Sequence, residues 1–354
     1  MTINNQKAIR GALLGTALGD AVGLVTEGLS RRRLARLYPG PLGPALWFRF
    51  GMMSDDGEHA CMTAQALIVA SGDTQRFIHS LAWRLRFWLL GFPAGVGLAT
   101  GRAILKLWIG FSPHKSGVFS AGNGPAMRAP IIGAAWSDHL ATMKKMVVAS
   151  TRLTHTDPKA EWGALAVALA AAFSARGERV TPQQFVQELT SLLDKSAVEF
   201  VSLIEQTVAS LLKGETAFQF ADNLGLSTGI GGYVFHTVPI VLHIWMRSPA
   251  SFEDALNEVI RLGGDTDTTA AILGGILGAG MDLEEFPKHW VLRLVDWPRS
   301  RHWMISLADR LARVHQTGIP MNALPLFWPL LPLRNLVFLT VVLLHGVRRL
   351  FPPW

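Results

Sequence analysis

The sequence predicts an all-α fold: a single compact multi-helix domain followed by an apolar C-terminal tail. Three observations carry that reading. Apolar residues recur at helical spacing from Gln6 to Gly280. Alternating apolar and polar runs bounded by hairpin turns are nearly absent. Small residues fall at helical intervals, with Ala12, Gly15, Gly19 and Gly23 in one series and Gly274, Gly275 and Gly278 in another, and such series let helix backbones approach closely.

Taken in order, the periodicity predicts helices over 6–28, 55–70, 74–91, 136–151, 159–176, 181–193, 197–213, 232–246, 251–262 and 266–280. The first is small and apolar, so its two acids stand out; Asp20 and Glu27 are seven apart and predicted to share one face, with Asp20 available to brace neighbouring backbone. Ser54 is a natural N-cap for the second. The third carries Trp83-Arg84-Leu85-Arg86-Phe87-Trp88, which reads as a buried aromatic stripe with snorkelling arginines rather than a base-stacking surface. Pro125 is placed to start a helix after a small-residue loop. Thr156 and Asp157 resemble a cap for the helix over 159–176, and Gly263-Gly264 permit a tight bend before the last.

No internal repeat or low-complexity linker interrupts residues 1–316, which read as one domain. Residues 317–354 are rich in Pro and Leu. Their uninterrupted apolar run, 335–344, is too short for the roughly twenty residues of a spanning helix. It reads as a helix docked on the body or as a peripheral membrane contact flanked by Arg348, Arg349 and Trp354.

Composition narrows the function. The chain has 354 residues, 49% of them hydrophobic and 17% charged, and a net charge of +7, which favours anionic partners without predicting specific nucleic-acid binding. Cys61 is the sole cysteine, which excludes an intrachain disulfide and a cysteine-built zinc site. No basic stretch followed by an apolar segment opens the chain, so a cytoplasmic body is expected.

Two acidic clusters are the main chemical signal. Ser54-Asp55-Asp56 and Gly263-Gly264-Asp265-Thr266-Asp267-Thr268 each place two carboxylates and a hydroxyl at the start of an apolar helix. Adjacent acids repel, and a buried acid needs a partner, so packing alone does not ask for them. A hard divalent cation does, since Mg²⁺ and Mn²⁺ prefer oxygen ligands. A single cluster is explained by helix capping; two in one chain point to a metal site, to which Glu27 or Asp20 can add a carboxylate. Two small-residue segments, 116–128 and 227–233, suit anion binding by backbone N–H groups, although each also reads as a plain turn before a helix. His155, between Thr154 and Thr156, is a candidate ligand contact.

Together Gly11-Ala-Leu-Leu-Gly15, Gly19-Asp20-Ala-Val-Gly23, Glu27, Ser54-Asp55-Asp56, Gly122-Asn-Gly-Pro-Ala-Met-Arg128, Thr154-His155, Thr228-Gly-Ile-Gly-Gly-Tyr233 and Gly263-Gly-Asp-Thr-Asp-Thr268 resemble the ADP-ribosylglycohydrolase family, of the dinitrogenase-reductase-activating type. The resemblance implies an all-α fold and two Mg²⁺ or Mn²⁺ ions held by Ser54, Asp55, Asp56, Asp265, Asp267 and Thr268. It implies that Glu27 is a ligand or gate, that Asp56, Asp267 and Glu27 serve catalysis, and that Ser120, Gly122, Asn123, Gly124, His155, Gly231, Gly232 and Tyr233 bind the ADP-ribose. The implied reaction is hydrolysis of the glycosidic bond in an ADP-ribosylated protein or small molecule. Ser54 replaces the family's usual Thr and keeps the hydroxyl. Gly57 replaces a Thr or similar residue and is expected to loosen the first turn of its helix, where Gly costs about 1 kcal/mol. A metal-dependent phosphoesterase and a non-catalytic ADP-ribose-binding or toxin-immunity protein are the rival readings.

Overall fold

Two glycine-lined helices cross at the centre of the molecule. The computed structural model describes residues 5–178 and 180–351, which hold seventeen α-helices, two 3₁₀ turns and no strand. In chain order the helices are α1 (Asn5–Gly23), α2 (Arg31–Leu37), α3 (Asp55–Ala70), α4 (Thr74–Leu90), α5 (Leu98–Trp108), α6 (Gly124–Ala135), α7 (Leu140–Arg152), α8 (Pro158–Arg176) and α9 (Pro182–Leu192). They continue as α10 (Val198–Leu212), α11 (Ala217–Asn223), α12 (Val234–Met246), α13 (Phe252–Arg261), α14 (Thr266–Gly278), α15 (Lys288–Val291), α16 (Arg301–Thr317) and α17 (Leu330–Arg348).

The central pair is α1 and α14. A Cβ added at Gly11, Gly15, Gly19 or Gly23 would stand 1.9, 2.1, 2.1 or 2.2 Å from the carbonyl oxygens of Gly278, Gly274, Ala270 and Thr266. No side chain fits between these backbones, which explains the small-residue series on both helices. Around the pair pack α3, α6, α13 and α16, and α6 in turn lies on the alanine-rich α8. One large apolar cluster fills the body, a second small one lies under α17, and polar residues such as Asp20, Asp56, Glu58, Arg128 and Arg334 are buried as well.

Several expected boundaries shift. The first helix stops at Gly23 rather than continuing to 28, because the Thr26 hydroxyl bonds the Gly23 carbonyl and the Thr266 hydroxyl, and a 3₁₀ turn follows. Asp20 and Glu27 therefore do not share a helix face. Trp136 ends α6 instead of opening the next helix, and α12 starts at Val234, after the Gly231-Gly232 turn. The short helices α2, α11 and α15 show too few turns to leave a periodic signal.

The tail forms one helix. α17 runs for 19 residues, well beyond the 335–344 run, because polar Arg334 and Asn335 lie on its docked side and do not interrupt it. Arg334 is 1% exposed; it donates to Asp296 and to the Met53 carbonyl, while Asn335 donates to the Gly91 carbonyl. Phe338 and Val341 pack with Leu24, Val25, Leu46 and Met52. The α4 segment also departs from expectation. Leu85 and Trp88 are buried, but Trp83 and Phe87 are 54% and 46% exposed, so only one of the three aromatic side chains joins the core.

Candidate active site

Each acidic cluster is positioned by backbone hydrogen bonds. Ser54 occupies the N-cap of α3, yet its hydroxyl makes no cap bond. Asp20 caps the helix instead: it accepts from the Ser54 N–H at 2.8 and 2.9 Å and from the Gly57 N–H at 2.8 Å. Burial pushes the Asp20 carboxyl up to about 7, and those N–H groups pull against the rise. The Ser54 hydroxyl is left free to turn to Asp56, at 3.3 Å.

Gly57 does not loosen this turn. A Cβ there would meet the Met53 sulfur at 2.6 Å and Asp20 Oδ2 at 3.1 Å, so glycine is what allows Asp20 to approach. Glu58, in the same turn, anchors the helix from below. Burial alone would raise it, but Arg299 at 2.6 Å and Arg334 at 3.4 Å outweigh burial and hold it below the usual carboxylate range.

The second cluster sits on a strained turn. Gly263 and Gly264 have φ of +73° and +89°, the left-handed region that favours glycine. The turn is tied on both sides: the Gly28 N–H donates to the Gly264 carbonyl, the Gly264 N–H to the Leu29 carbonyl, and the Asp265 N–H to the Ile230 carbonyl at 2.7 Å. Asp265 then accepts from the Asn123 side chain at 2.7 Å.

The two clusters meet. The Thr268 hydroxyl donates to Asp56 Oδ2 at 3.2 Å, joining residues 212 apart in sequence. Asp55, Asp265, Asp267 and Thr268 line one cavity of about 470 Å³, with Glu27 beside them. Asp56 lies just beneath, 1% exposed, with Oδ1 buried and without a hydrogen-bond partner. Burial raises Asp55, Asp56 and Asp267 well above the ordinary carboxylate range, and the neighbouring acids raise them further: Asp20 acts on Asp55, Asp55 on Asp56, and Glu27 and Asp265 on Asp267. No lysine or arginine is among the residues lining the cavity.

Among the described residues, no three His, Cys, Asp or Glu side chains form a ready-made cage for an ion. Part of the donor set is hydroxyl, from Ser54 and Thr268. The chemistry of the site nonetheless fits a hard divalent cation: all-oxygen donors, surplus negative charge and an orphaned buried carboxylate oxygen.

The opposite wall comes from the small-residue loops. Isolated bridges tie Val118 to His155, Gly122 to Tyr233 and Ile230 to Gly264. Ser120, Gly122, Asn123, Gly124, His155 and Gly232 line the cavity, whereas Gly231 and Tyr233 flank it without lining it. Two amides expected to cradle an anion are engaged internally, the Gly122 N–H with Ser120 Oγ and the Asn123 N–H with the Gly232 carbonyl. Arg128, which follows this loop in sequence, is wholly buried in α6 and donates to Ser150 and Thr154 instead.

His155 is pushed down to about 3 by burial and by Arg128, so it is neutral near pH 7. Thr154 Oγ1 accepts from Arg128, and His155 Nδ1 at 2.9 Å is the acceptor available for its proton. That assignment leaves the proton of neutral His155 on Nε2, beside Gly122 and Gly124 at the cavity wall. Sequence reasoning missed one wall altogether. Residues Gly95 to Thr100 line the cavity, and a Cβ at Gly95 would stand 3.0 Å from Asp55 Oδ1; the closely spaced Gly95 and Gly97 are the signal that could have found it.

Comparison with known proteins bears on the family and the fold. The family model described as ADP-ribosylglycohydrolase matches residues 1–320. An uncharacterized protein of Archaeoglobus fulgidus is 28% identical over 90% of this chain and 100% of its own length. The ADP-ribosyl-[dinitrogen reductase] glycohydrolase of Rhodospirillum rubrum is 26% identical over 80% of this chain and 89% of its own. The human ADP-ribosylhydrolase ARH3 is 27% identical over 79% and 87%. A solved structure titled ADP-ribosylglycohydrolase-related protein complex superposes with a TM-score of 0.63 at 24% identity, covering 88% of this chain and 99% of that one, and so shares the fold.

Proposed function

The chain belongs to the ADP-ribosylglycohydrolase family, and from that premise we propose that it is a divalent-metal-dependent hydrolase that cleaves the glycosidic bond of an ADP-ribosylated protein side chain, such as arginine, or of an ADP-ribosylated small molecule. Relatives named for ADP-ribosyl hydrolysis match most of its length, which supports the reaction class. The observation that carries the metal reading is the hydrogen bond from Thr268 to Asp56, which brings the two acidic clusters together at the floor of one cavity.

In this reading Ser54, Asp55, Asp56, Asp265, Asp267 and Thr268 hold two Mg²⁺ or Mn²⁺ ions, with Glu27 at their edge. When bound, such ions supply charge to polarise ribose hydroxyls and acidify a water. The remaining work belongs to the chain. Asp56 or Asp267 takes the proton of the attacking water. The N-terminus of α6, opening at Gly124, offers backbone N–H groups and a favourable dipole to the diphosphate. His155 donates to the same group from Nε2. Holding the diphosphate away from the scissile bond turns binding energy into orientation of the anomeric carbon.

The test is incubation of the purified protein with Mg²⁺ or Mn²⁺ and a panel of ADP-ribosylated substrates, with products identified by mass. Intact ADP-ribose, lost on chelation, is the expected product. AMP with ribose phosphate would make it a phosphoesterase instead, and ADP-ribose binding without turnover, indifferent to chelator, would make it a binding protein.

A further inference from the structure

We propose that the protein docks on an anionic lipid surface through the outer side of α17 and the two segments beside it, independently of its hydrolytic function. The first support is the division of α17 into two sides. Its inner side is committed to the body through Arg334, Asn335, Phe338 and Val341. Its outer side carries Leu336, Leu343, Leu344 and Val347, each between 50% and 62% exposed, and Leu350 and Phe351 follow at 63% each. The described helix is long and apolar enough to cross a membrane, with a mean hydropathy of 1.8. Crossing would withdraw Arg334 from Asp296 and the Met53 carbonyl, so the helix lies flat with one side free.

The second support is continuity. The Leu46 and Met52 stems that pack on Phe338 and Val341 flank a turn whose tip exposes Trp47, Phe48 and Phe50 at 43%, 85% and 48%. On the other side, the bond from Asn335 to the Gly91 carbonyl joins α17 to the end of α4, and Phe87 of α4 meets Trp328 with ring centroids 6.4 Å apart. Exposed aromatic side chains therefore border α17 on both sides, as they do where proteins meet the headgroup layer of a bilayer.

The third support is charge, and it selects lipid over a second copy of the chain. The protein has 26 acidic residues, and none falls in 28–54, 83–92 or 328–351, which carry this surface; Glu27, whose carbonyl accepts from Arg349, is the acid at its edge. Basic residues do fall there: Arg32, Arg33 and Arg36 on α2, where Arg33 reaches the Arg349 carbonyl, together with Arg86 and Arg348. A surface with this excess of basic over acidic side chains repels its own copy and attracts an anionic membrane.

The experiment is sedimentation of the full chain with vesicles of phosphatidylcholine alone or mixed with phosphatidylserine, at low and high salt. Binding is expected only to the mixed vesicles and is expected to weaken with salt. Arg32→Gln and Arg36→Gln should each weaken it about fivefold. Leu343→Ser with Leu344→Ser should abolish it while circular dichroism and hydrolysis stay unchanged. Phe48→Ser, in a different element, should weaken it independently of any effect on the helix. Full-length protein that ignores mixed vesicles at low salt overturns the proposal. So does a dimer in sedimentation velocity that dissociates on the Leu343/Leu344 change, because the face would then be a self-association surface.

Discussion

Replacing Arg334 with Met tests whether the tail helix is part of the structure that shapes the site. Arg334 is 1% exposed and gives Asp296 two hydrogen bonds, at 3.2 and 2.5 Å; it donates to the Met53 carbonyl at 2.6 Å and lies 3.4 Å from Glu58. Methionine fills similar volume but supplies no donor and no charge. Asp296 would keep only the Met53 N–H as a partner, leaving a buried carboxylate almost uncompensated. Breaking a buried pair from one side costs about 3–5 kcal/mol, against a total stability of roughly 5–15 kcal/mol for a domain. Met53 immediately precedes Ser54 and Asp55, so its freed carbonyl should also weaken Mn²⁺ binding. Urea unfolding followed by circular dichroism measures the first effect and calorimetric Mn²⁺ titration the second. The double change Arg334→Met with Asp296→Leu should recover much of the lost stability by removing the stranded charge. A loss below about 1 kcal/mol for Arg334→Met, the range of exposed ion pairs, would refute the reasoning and show that Asp296 and Glu58 are satisfied without the tail.

Three further outcomes follow from the geometry. Gly15→Ala puts a methyl 2.1 Å from the Gly274 carbonyl oxygen, so it should cost at least the roughly 1–3 kcal/mol of core overpacking and lower the melting temperature, with the same change at exposed Gly346, which meets nothing and gains helix propensity, as the control that does not destabilise. Gly57→Thr should cost about 1–3 kcal/mol and reduce Mn²⁺ affinity, because the new side chain meets Met53 and Asp20, outweighing its gain of under about 1 kcal/mol in helix propensity; calorimetry on the folded variant reads the affinity. The stabilisation given by Mg²⁺ or Mn²⁺ should grow as pH rises through neutrality. Asp20 has its folded pKa raised to about 7, and Asp55, Asp56 and Asp267 are raised well above 3.8. Between the unfolded and folded values the native state binds more protons than the unfolded chain, so without cations these groups stabilise at low pH and lose that contribution as pH rises. A cation competes with those same protons, and its effect on the melting temperature should therefore be smallest in acid.

Much of this was legible in the sequence, for identifiable reasons. The long helices α3, α8 and α14 were predicted nearly to the residue because an extended apolar period and a polar start leave little freedom. The acidic clusters stood out because the chain is otherwise sparingly charged. What could not be read was the pairing of distant groups. The sequence offers Asp20 as a residue that can brace backbone, but does not show that it caps α3 in place of Ser54, since that depends on how α1 meets α3. Gly57 looked like a defect in a helix propensity argument and is a packing requirement in three dimensions. The exposed Trp83 and Phe87 share their helical period with buried residues, and periodicity alone does not say which side of a helix faces the core.

The crossing of α1 and α14 has a consequence for the precision of the site. Where side chains set the spacing between helices, they can change rotamer and yield to temperature. At this crossing backbone rests on backbone at four successive points, and there is no rotamer to change. Sliding one helix by a single residue would shift it by about 1.5 Å and drive Cα atoms out of register with the opposing carbonyls. Asp20 leaves one end of this joint and the turn carrying Asp265 and Asp267 enters beside it, so the separation of the two acidic groups is fixed by backbone resting on backbone. Insertions in the loops between Gly23 and Thr266, which are 243 positions apart, can lengthen loops or add helices without moving Asp20 relative to the turn carrying Asp265 and Asp267.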